Sequence, residues 1–139
     1  MPVSWARIGF VASLIAAIGL LESAAANPLV ECGVLTSSNS RVPDCLQTQV
    51  EVSTRAMEEV LGLARAKAQE LDEATDGDAA VLAVEASQQA WVAFRDTDCR
   101  LRGDLAASGS DAAAVQLACQ IEMTRERMDE LLRLAGGGS

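Results

Sequence analysis

The chain has 139 residues, with 11 basic and 20 acidic side chains, four cysteines, no histidine and no tyrosine. This length accommodates one domain. The lack of histidine removes the commonest general base and metal ligand, and the net charge of -9 argues against binding to nucleic-acid phosphates, which needs clustered Lys and Arg. The composition therefore predicts an acidic, Ala-rich helical domain without a nucleic-acid partner.

The N-terminal segment has the composition of a secretory signal peptide. A positive charge at Arg7 precedes an apolar run over residues 8–21, and small residues follow it. The sequence predicts a signal peptide over residues 1–26, cleaved after Ala26 or alternatively after Ala25. A membrane anchor is the other interpretation, but the apolar run is shorter than the roughly 20 residues that span a bilayer.

The expected destination is the periplasm or the external medium. A lipid-modified cysteine would need a small residue just before it, whereas Val30 and Glu31 precede Cys32. No second apolar run follows the signal peptide, so we expect no membrane attachment after cleavage. Residues 27–134 form the predicted domain, and residues 135–139 a flexible Gly-rich tail.

The four cysteines of an exported domain are expected to form disulfides. Pairing of Cys32 with Cys45 and of Cys99 with Cys119 is favoured because both loops are short, although the sequence leaves the other two pairings open. Each loop would restrict the unfolded chain by about 3 kcal/mol. A zinc site is disfavoured because close Cys-x-x-Cys pairs are missing. No metal or cofactor is predicted.

The apolar residues recur at helical spacing past the signal peptide, and no strand pattern competes. Three helices are predicted, from residue 43 or 44 to 72, from an N-cap at 78 to about 102, and from 111 to 134. Gly77 is predicted to end the first helix and Gly103 the second. The predicted fold is all-α, a small antiparallel bundle of three helices with two disulfides.

The same spacing predicts which side of each helix is buried. The inner positions of the first helix are Leu46, Val50, Met57, Val60, Leu61, Ala64, Ala68 and Leu71. Those of the second are Val81, Val84, Gln88, Trp91, Arg95 and Cys99. Those of the third are Leu117, Ile121, Thr124, Met128 and Leu131. The bundle core is expected to form from these three faces.

One stretch of the second helix carries a distinctive pattern. Gln88, Trp91, Arg95 and Cys99 are spaced three, four and four residues apart and form one stripe. If Cys99 pairs with the third helix, the stripe faces that helix. Trp91 would then supply the largest piece of core, with the Arg95 guanidinium near an acid such as Glu122.

These residues resemble the lysozyme-inhibitor LprI-like N-terminal domain family. The matching positions are Gln88, Trp91, Arg95, Asp96, Cys99, Gly109, Ser110, Cys119, Thr124 and Arg125, with Cys32 and Cys45 as the upstream cysteine pair. The resemblance covers residues 32–134 and implies a small, helical, disulfide-bonded, exported bacterial domain that inhibits lysozyme. Two features depart from the family: Met57–Val60 stands where Asn-x-x-Tyr is usual, and the lipid anchor of the named member is missing. The motif residues are expected to be mainly structural.

Five acids in nine residues, without a base, surround the first predicted turn. They are Glu70, Asp72, Glu73, Asp76 and Asp78. A cationic protein such as lysozyme would be attracted to an acidic domain, and this turn is the candidate contact. The other interpretation is a solvated turn whose acids cap helices.

Catalysis is not predicted. Adjacent carboxylates such as Glu58 and Glu59 point in different directions from a helix, and no histidine is present to activate a serine or threonine. We therefore expect a binding protein. Besides lysozyme inhibition, the sequence allows an envelope module that binds another cell-envelope protein or a wall fragment. The oligomeric state is left open.

Overall fold

A computed structural model describes residues 27–36, 38–106 and 109–136. Four α-helices and a short 3-10 helix follow one another: α1 (Pro28–Thr36), the 3-10 helix (Asn39–Arg41), α2 (Val42–Thr75), α3 (Ala79–Ala106) and α4 (Ser110–Leu134). No strand occurs within those ranges, which confirms the all-α class. The predicted signal peptide and most of the predicted tail lie outside the described residues.

The prediction of three helices was wrong by one, because α1 was missed. Its nine residues are apolar on most sides, so the period that reveals an amphipathic helix is absent. A helix this short is not stable alone. The local sequence feature that indicates α1 is its start. The Asn27 side chain accepts the N–H of Leu29 at 3.0 Å, and Pro28 is the first helical residue.

Helices α2, α3 and α4 run in alternating directions, because only three residues of sequence separate each helix from the next. Helix α3 is therefore antiparallel to both neighbours, while α2 and α4 are parallel and share the largest interface. Helix α1 packs on α2 and α4. Two disulfides tie these elements together: Cys32–Cys45 joins α1 to α2, and Cys99–Cys119 joins α3 to α4. This is the pairing that the sequence favoured.

The core consists of two apolar clusters along the bundle. The cluster beside α1 contains Cys32, Leu46, Ala118 and Ile121. The second contains Met57, Leu61, Ala64 and Leu131, with Trp91 packed against it as a partly buried neighbour. One predicted inner residue of α2 was wrong, because Leu71 is 56% exposed and Asp72 is buried beside it. No described helix is both long and apolar enough to cross a membrane.

The turn between α2 and α3 differs from the prediction in two ways. Helix α2 ends at Thr75, and the residue that caps it in the left-handed conformation, at φ 52°, is Asp76 rather than Gly77. The predicted cap of α3 was Asp78. Instead, the buried Asp72 carboxylate accepts the backbone N–H groups of Ala80 and Val81, each at 2.9 Å. A side chain of α2 thus satisfies the first free N–H groups of α3.

Gly103 does not end α3, as the sequence suggested, but lies inside it. The helix continues to Ala106, and Gly103 is buried where α3 meets α4. A Cβ atom at this position would lie 2.8 Å from the carbonyl oxygen of Ala112 and 3.3 Å from Cβ of Gln116. The glycine is required by the close approach of two helices and not by a change of chain direction.

Candidate functional site

Four motif residues that the sequence singled out meet at the interface between α3 and α4: Gln88, Trp91, Arg95 and Thr124. The Gln88 amide oxygen accepts a hydrogen bond from Arg127 at 3.1 Å, and its nitrogen contacts the Met57 sulfur at 3.5 Å. Two turns further on, Arg95 donates to the hydroxyl of Thr124 at 3.3 Å. The stripe on α3 therefore faces α4.

Two guanidinium groups lie over the ring of Trp91. The guanidinium carbon of Arg95 is 5.1 Å from the ring centroid, and that of Arg127 is 5.8 Å away. Both distances are within the range of cation–π attraction. The ring is partly buried and packs against the second apolar cluster.

Arg127 is a member of this cluster that the sequence analysis missed. It is 6% exposed, and its guanidinium donates to Gln88, Ser87 and Glu130. Every buried side-chain nitrogen and oxygen of the described residues has a hydrogen-bond partner. The only indication in the sequence that Arg127 belongs to the cluster is its position, three residues after Thr124 on the same face of α4.

Arg95 pairs with an acid, as expected, but the acid is not the Glu122 named as an example. Its guanidinium pairs with the neighbouring Asp96 at 2.8 Å and contacts Thr124, rather than reaching Glu122. The charged groups of this cluster bind other groups of the same domain. The cluster therefore holds α3 against α4. We find no substrate-facing arrangement among its described side chains.

Arg125, the last motif residue, lies outside this cluster and holds α1. Its two terminal nitrogens donate to the two carboxylate oxygens of Glu31, each at 2.9 Å. The hydrogen bond from Arg125 lowers the pKa of Glu31, although burial acts in the opposite direction. Such a two-point pair fixes geometry as well as charge. Arg125 and the Cys32–Cys45 disulfide therefore anchor α1 from two different helices.

The acidic turn separates into one structural acid and four exposed ones. Asp72 caps α3 and is buried, so the expectation that it contacts a partner was wrong. We call the exposed acids Glu70, Glu73, Asp76 and Asp78 the acidic tip. Three of them, Glu73, Asp76 and Asp78, line a shallow depression of about 510 Å³, together with Gln69, Asp72, Gly77 and Val81.

The acidic tip stands at the free end of the α2–α3 hairpin. Two of its acids have a neighbour on α2: Lys67 pairs with Glu70 at 2.8 Å, and Gln69 donates to Glu73 at 3.1 Å. Lys67 therefore compensates one charge at the edge of the tip. The carboxylates nearest the turn lie in the part of the chain without a base.

An apolar groove of about 650 Å³ lies next to the tip. Its lining comes from α2, α3 and the end of α4, and consists of Ala64, Lys67, Ala68, Glu70, Leu71, Ala74, Ala80, Ala83, Val84 and Leu134. Helix α4 ends at Leu134, whereas α2 continues to Thr75. Because Leu131 packs with Leu61 and Ala64, the end of α2 lies beyond the end of α4.

Metal binding has no candidate site in the described ranges, where no group of three or more Cys, Asp or Glu side chains is arranged to hold an ion. The four cysteines are all in disulfides.

A family model described as "Lysozyme inhibitor LprI" matches residues 35–131. The chain belongs to this family. The match includes α2, α3 and most of α4, so the motif cluster and the acidic tip both lie within the LprI region, while α1 lies almost entirely before it. Among curated proteins and among solved structures, no match to the chain is found.

The LprI description is that of an inhibitor, which acts by binding another protein rather than by converting a substrate. In this LprI domain the motif side chains on α3 and α4 contact other residues of the same domain. The exposed charged surface at the end of the α2–α3 hairpin is therefore the stronger candidate for contact with a protein partner.

Proposed function

We propose that this domain inhibits a cationic lysozyme by stoichiometric binding, and that the acidic tip is its contact surface. One observation carries the proposal: four exposed carboxylates occupy the protruding end of a helical hairpin in a chain of the lysozyme-inhibitor family. The proposal also places the protein outside the cytoplasm, where its disulfides persist and where a lysozyme would be met.

Charge and shape both support the tip as the contact. A domain of net charge -9 attracts a cationic partner over long distances, which increases the rate of encounter and orients it. Because several carboxylates lie close together at the tip, this attraction is strongest at that end of the domain. Because α2 and α3 extend past α4, the tip can approach a cleft without a clash from the rest of the bundle.

The test is a lysozyme activity assay with the exported, oxidised protein, titrated at low and at moderate salt. We expect saturable inhibition near a one-to-one ratio, which weakens as salt screens the charges. Reduction and alkylation of the disulfides should abolish it. No inhibition of any cationic lysozyme would contradict the proposal and favour an envelope module with another partner.

The contact surface is tested by neutralising three acids of the tip together, in the variant Glu73→Gln/Asp76→Asn/Asp78→Asn. Asp72 is left unchanged because it caps α3. We expect inhibition to weaken about tenfold, since three charge contacts of roughly 0.5 kcal/mol each correspond to that factor.

The matched control removes the same charge from exposed acids away from the tip. It carries the changes Glu51→Gln, Asp104→Asn and Glu126→Gln. This control should inhibit within about twofold of the unmodified protein, apart from the loss of long-range attraction that both variants share. Equal weakening by the two variants would show that net charge matters and that the tip is not the contact.

A further inference from the structure

The two disulfides differ in how well they are shielded from solvent. Cys99 and Cys119 are both buried, and the Met123 sulfur lies 3.6 Å from Sγ of Cys99 and 3.8 Å from Sγ of Cys119. In the other disulfide, Cys32 is fully buried but Cys45 is only half-buried. A thiolate breaks a disulfide by attacking one of its sulfurs, so the rate depends on access to that sulfur. The Cys32–Cys45 bond is therefore the more accessible of the two, from its Cys45 side.

The two disulfides also differ in what they hold. Cys99–Cys119 lies between two long helices that side-chain hydrogen bonds and the close approach at Gly103 also hold together. Cys32–Cys45 instead attaches α1, a helix of nine residues. A helix of this length is not stable in isolation. The structure of α1 therefore depends on its attachments to the bundle.

Most of the large apolar side chains of α1 point away from those attachments. Val30, Val34 and Leu35 are 64%, 75% and 70% exposed. The buried residues of the helix are Pro28 and Cys32. Because one of the two is the cysteine itself, reduction of the disulfide removes a large part of what keeps α1 in place.

Helix α1 covers an apolar surface between α2 and α4. Cys32 packs there with the buried Leu46, Ala118 and Ile121, and we call these three residues the α2–α4 seam. Helices α2 and α4 also pack together further along the bundle, through the second apolar cluster. Loss of α1 would thus expose the seam and leave the three long helices joined. We propose that Cys32–Cys45 is a site of thiol–disulfide exchange, at which a dithiol reductant frees α1 and uncovers the α2–α4 seam.

The exchange consists of two displacement steps. A thiolate of the dithiol attacks Sγ of Cys45, the bond between the two cysteines breaks, and Cys32 leaves as a thiolate that takes up a proton. The second thiolate of the reductant then attacks the reductant's own sulfur in the mixed disulfide, which closes the reductant's disulfide and releases Cys45 as a thiol. The dithiol loses two protons and two electrons, and the protein disulfide gains them.

This inference does not depend on lysozyme inhibition. Helix α1 is attached at the start of α2, whereas the acidic tip is at the end of that helix of 34 residues. Release of α1 therefore occurs far from the proposed lysozyme contact, and its test needs no lysozyme.

The test treats the exported, oxidised protein with dithiothreitol in the absence of denaturant. Iodoacetamide stops the reaction at intervals, and mass spectrometry maps the alkylated cysteines. We expect Cys32 and Cys45 to be alkylated about tenfold faster than Cys99 and Cys119, because access limits the exchange. Hydrogen exchange of the partly reduced protein should show lost protection in α1 and retained protection in α2, α3 and α4. Equal rates for the two disulfides, or loss of protection in all four helices, would overturn the inference.

A variant of Glu31 tests whether reduction frees α1 or only breaks the bond. The pair of Glu31 with Arg125 joins α1 to α4 and exists only while α1 is in place. If reduction frees α1, Glu31→Gln should raise the equilibrium constant for reduction by dithiothreitol about threefold. The matched control is Glu85→Gln, whose pair with Arg65 joins α2 to α3, and it should change that constant by less than about 1.5-fold. An unchanged constant in Glu31→Gln would show that α1 stays in place after reduction, and an equal rise in both variants would also contradict the proposal.

Discussion

Gly103 of α3 lies directly against the backbone of Ala112 in α4, so close that a Cβ atom at position 103 would be 2.8 Å from the Ala112 carbonyl oxygen. A real Cβ does not occupy such a position, and a backbone oxygen cannot rotate away as a side chain can. The contact lies one turn beyond the Cys99–Cys119 disulfide, so the two features together hold α3 against α4.

Replacement of this glycine should therefore destabilise the protein even though alanine is the better helix former. We expect Gly103→Ala to lower the free energy of unfolding by about 1–3 kcal/mol, the usual range for overpacking. The control is Gly62→Ala in α2, where a Cβ meets nothing within 4 Å, and it should stabilise by about 0.5–1 kcal/mol. Urea denaturation measures both. A stabilising Gly103→Ala would show that α3 and α4 are further apart.

The cap that α2 provides to α3 predicts an effect of Asp72 on stability. Asp72→Ala removes the acceptor of two backbone N–H groups and should lower the free energy of unfolding by about 1–2 kcal/mol. Asp78→Ala is the control, because the exposed Asp78 contacts α3 through its backbone carbonyl. It should change stability by less than about 0.5 kcal/mol. A larger loss of stability for Asp78→Ala than for Asp72→Ala in chemical denaturation would show that Asp78 is the cap.

The pair between Glu31 and Arg125 predicts a pH-dependent contribution to stability. Its hydrogen bond lowers the pKa of Glu31 in the folded protein below the ordinary value of 4.5. The stabilisation is thus present above that pH and is lost as pH falls through the folded pKa. Glu31→Gln should lower the free energy of unfolding at pH 7 and have a smaller effect at pH 2, because the carboxylate takes up a proton as the pH falls through the folded pKa.

A matched pair elsewhere provides the comparison for Glu31. The hydrogen bond from Arg65 also lowers the pKa of Glu85, but this pair is on the surface. Glu85→Gln should therefore have a smaller effect than Glu31→Gln at pH 7, since exposed pairs contribute little. Thermal melting at the two pH values measures both variants. An effect of Glu31→Gln that is the same at both pH values would show that its charge is not the stabilising feature.

Trp91 should be important for stability although it is only partly buried. Trp91→Ala removes the ring that packs on the second apolar cluster and contacts the guanidinium groups of Arg95 and Arg127, and we expect a loss of about 3–5 kcal/mol. Phe94→Ala, on the exposed side of the same helix, should cost less than about 1 kcal/mol at micromolar concentration. Melting of Trp91→Ala like that of the unmodified protein would place the ring outside the packed structure.

Several features could be predicted from the sequence because they depend on neighbours along the chain. The all-α class and the extents of α2, α3 and α4 follow from hydrophobic period and turn residues, which act over a few positions. The burial of Gln88 and Cys99 on one side of α3 follows from the same spacing. The acidic turn was also visible, because its five acids lie within nine residues of the chain.

Other features were decided by contacts between residues far apart in the chain. Helix α1 exists because Cys32 and Glu31 are held by α2 and α4, and its own nine residues do not specify it. Asp72 looked like a surface acid until the start of α3 placed two N–H groups beside it. Gly103 looked like a helix end until α4 lay against it. Periodicity shows which side of a helix is apolar, but only the packed structure shows which backbone or charged group lies opposite a given side chain.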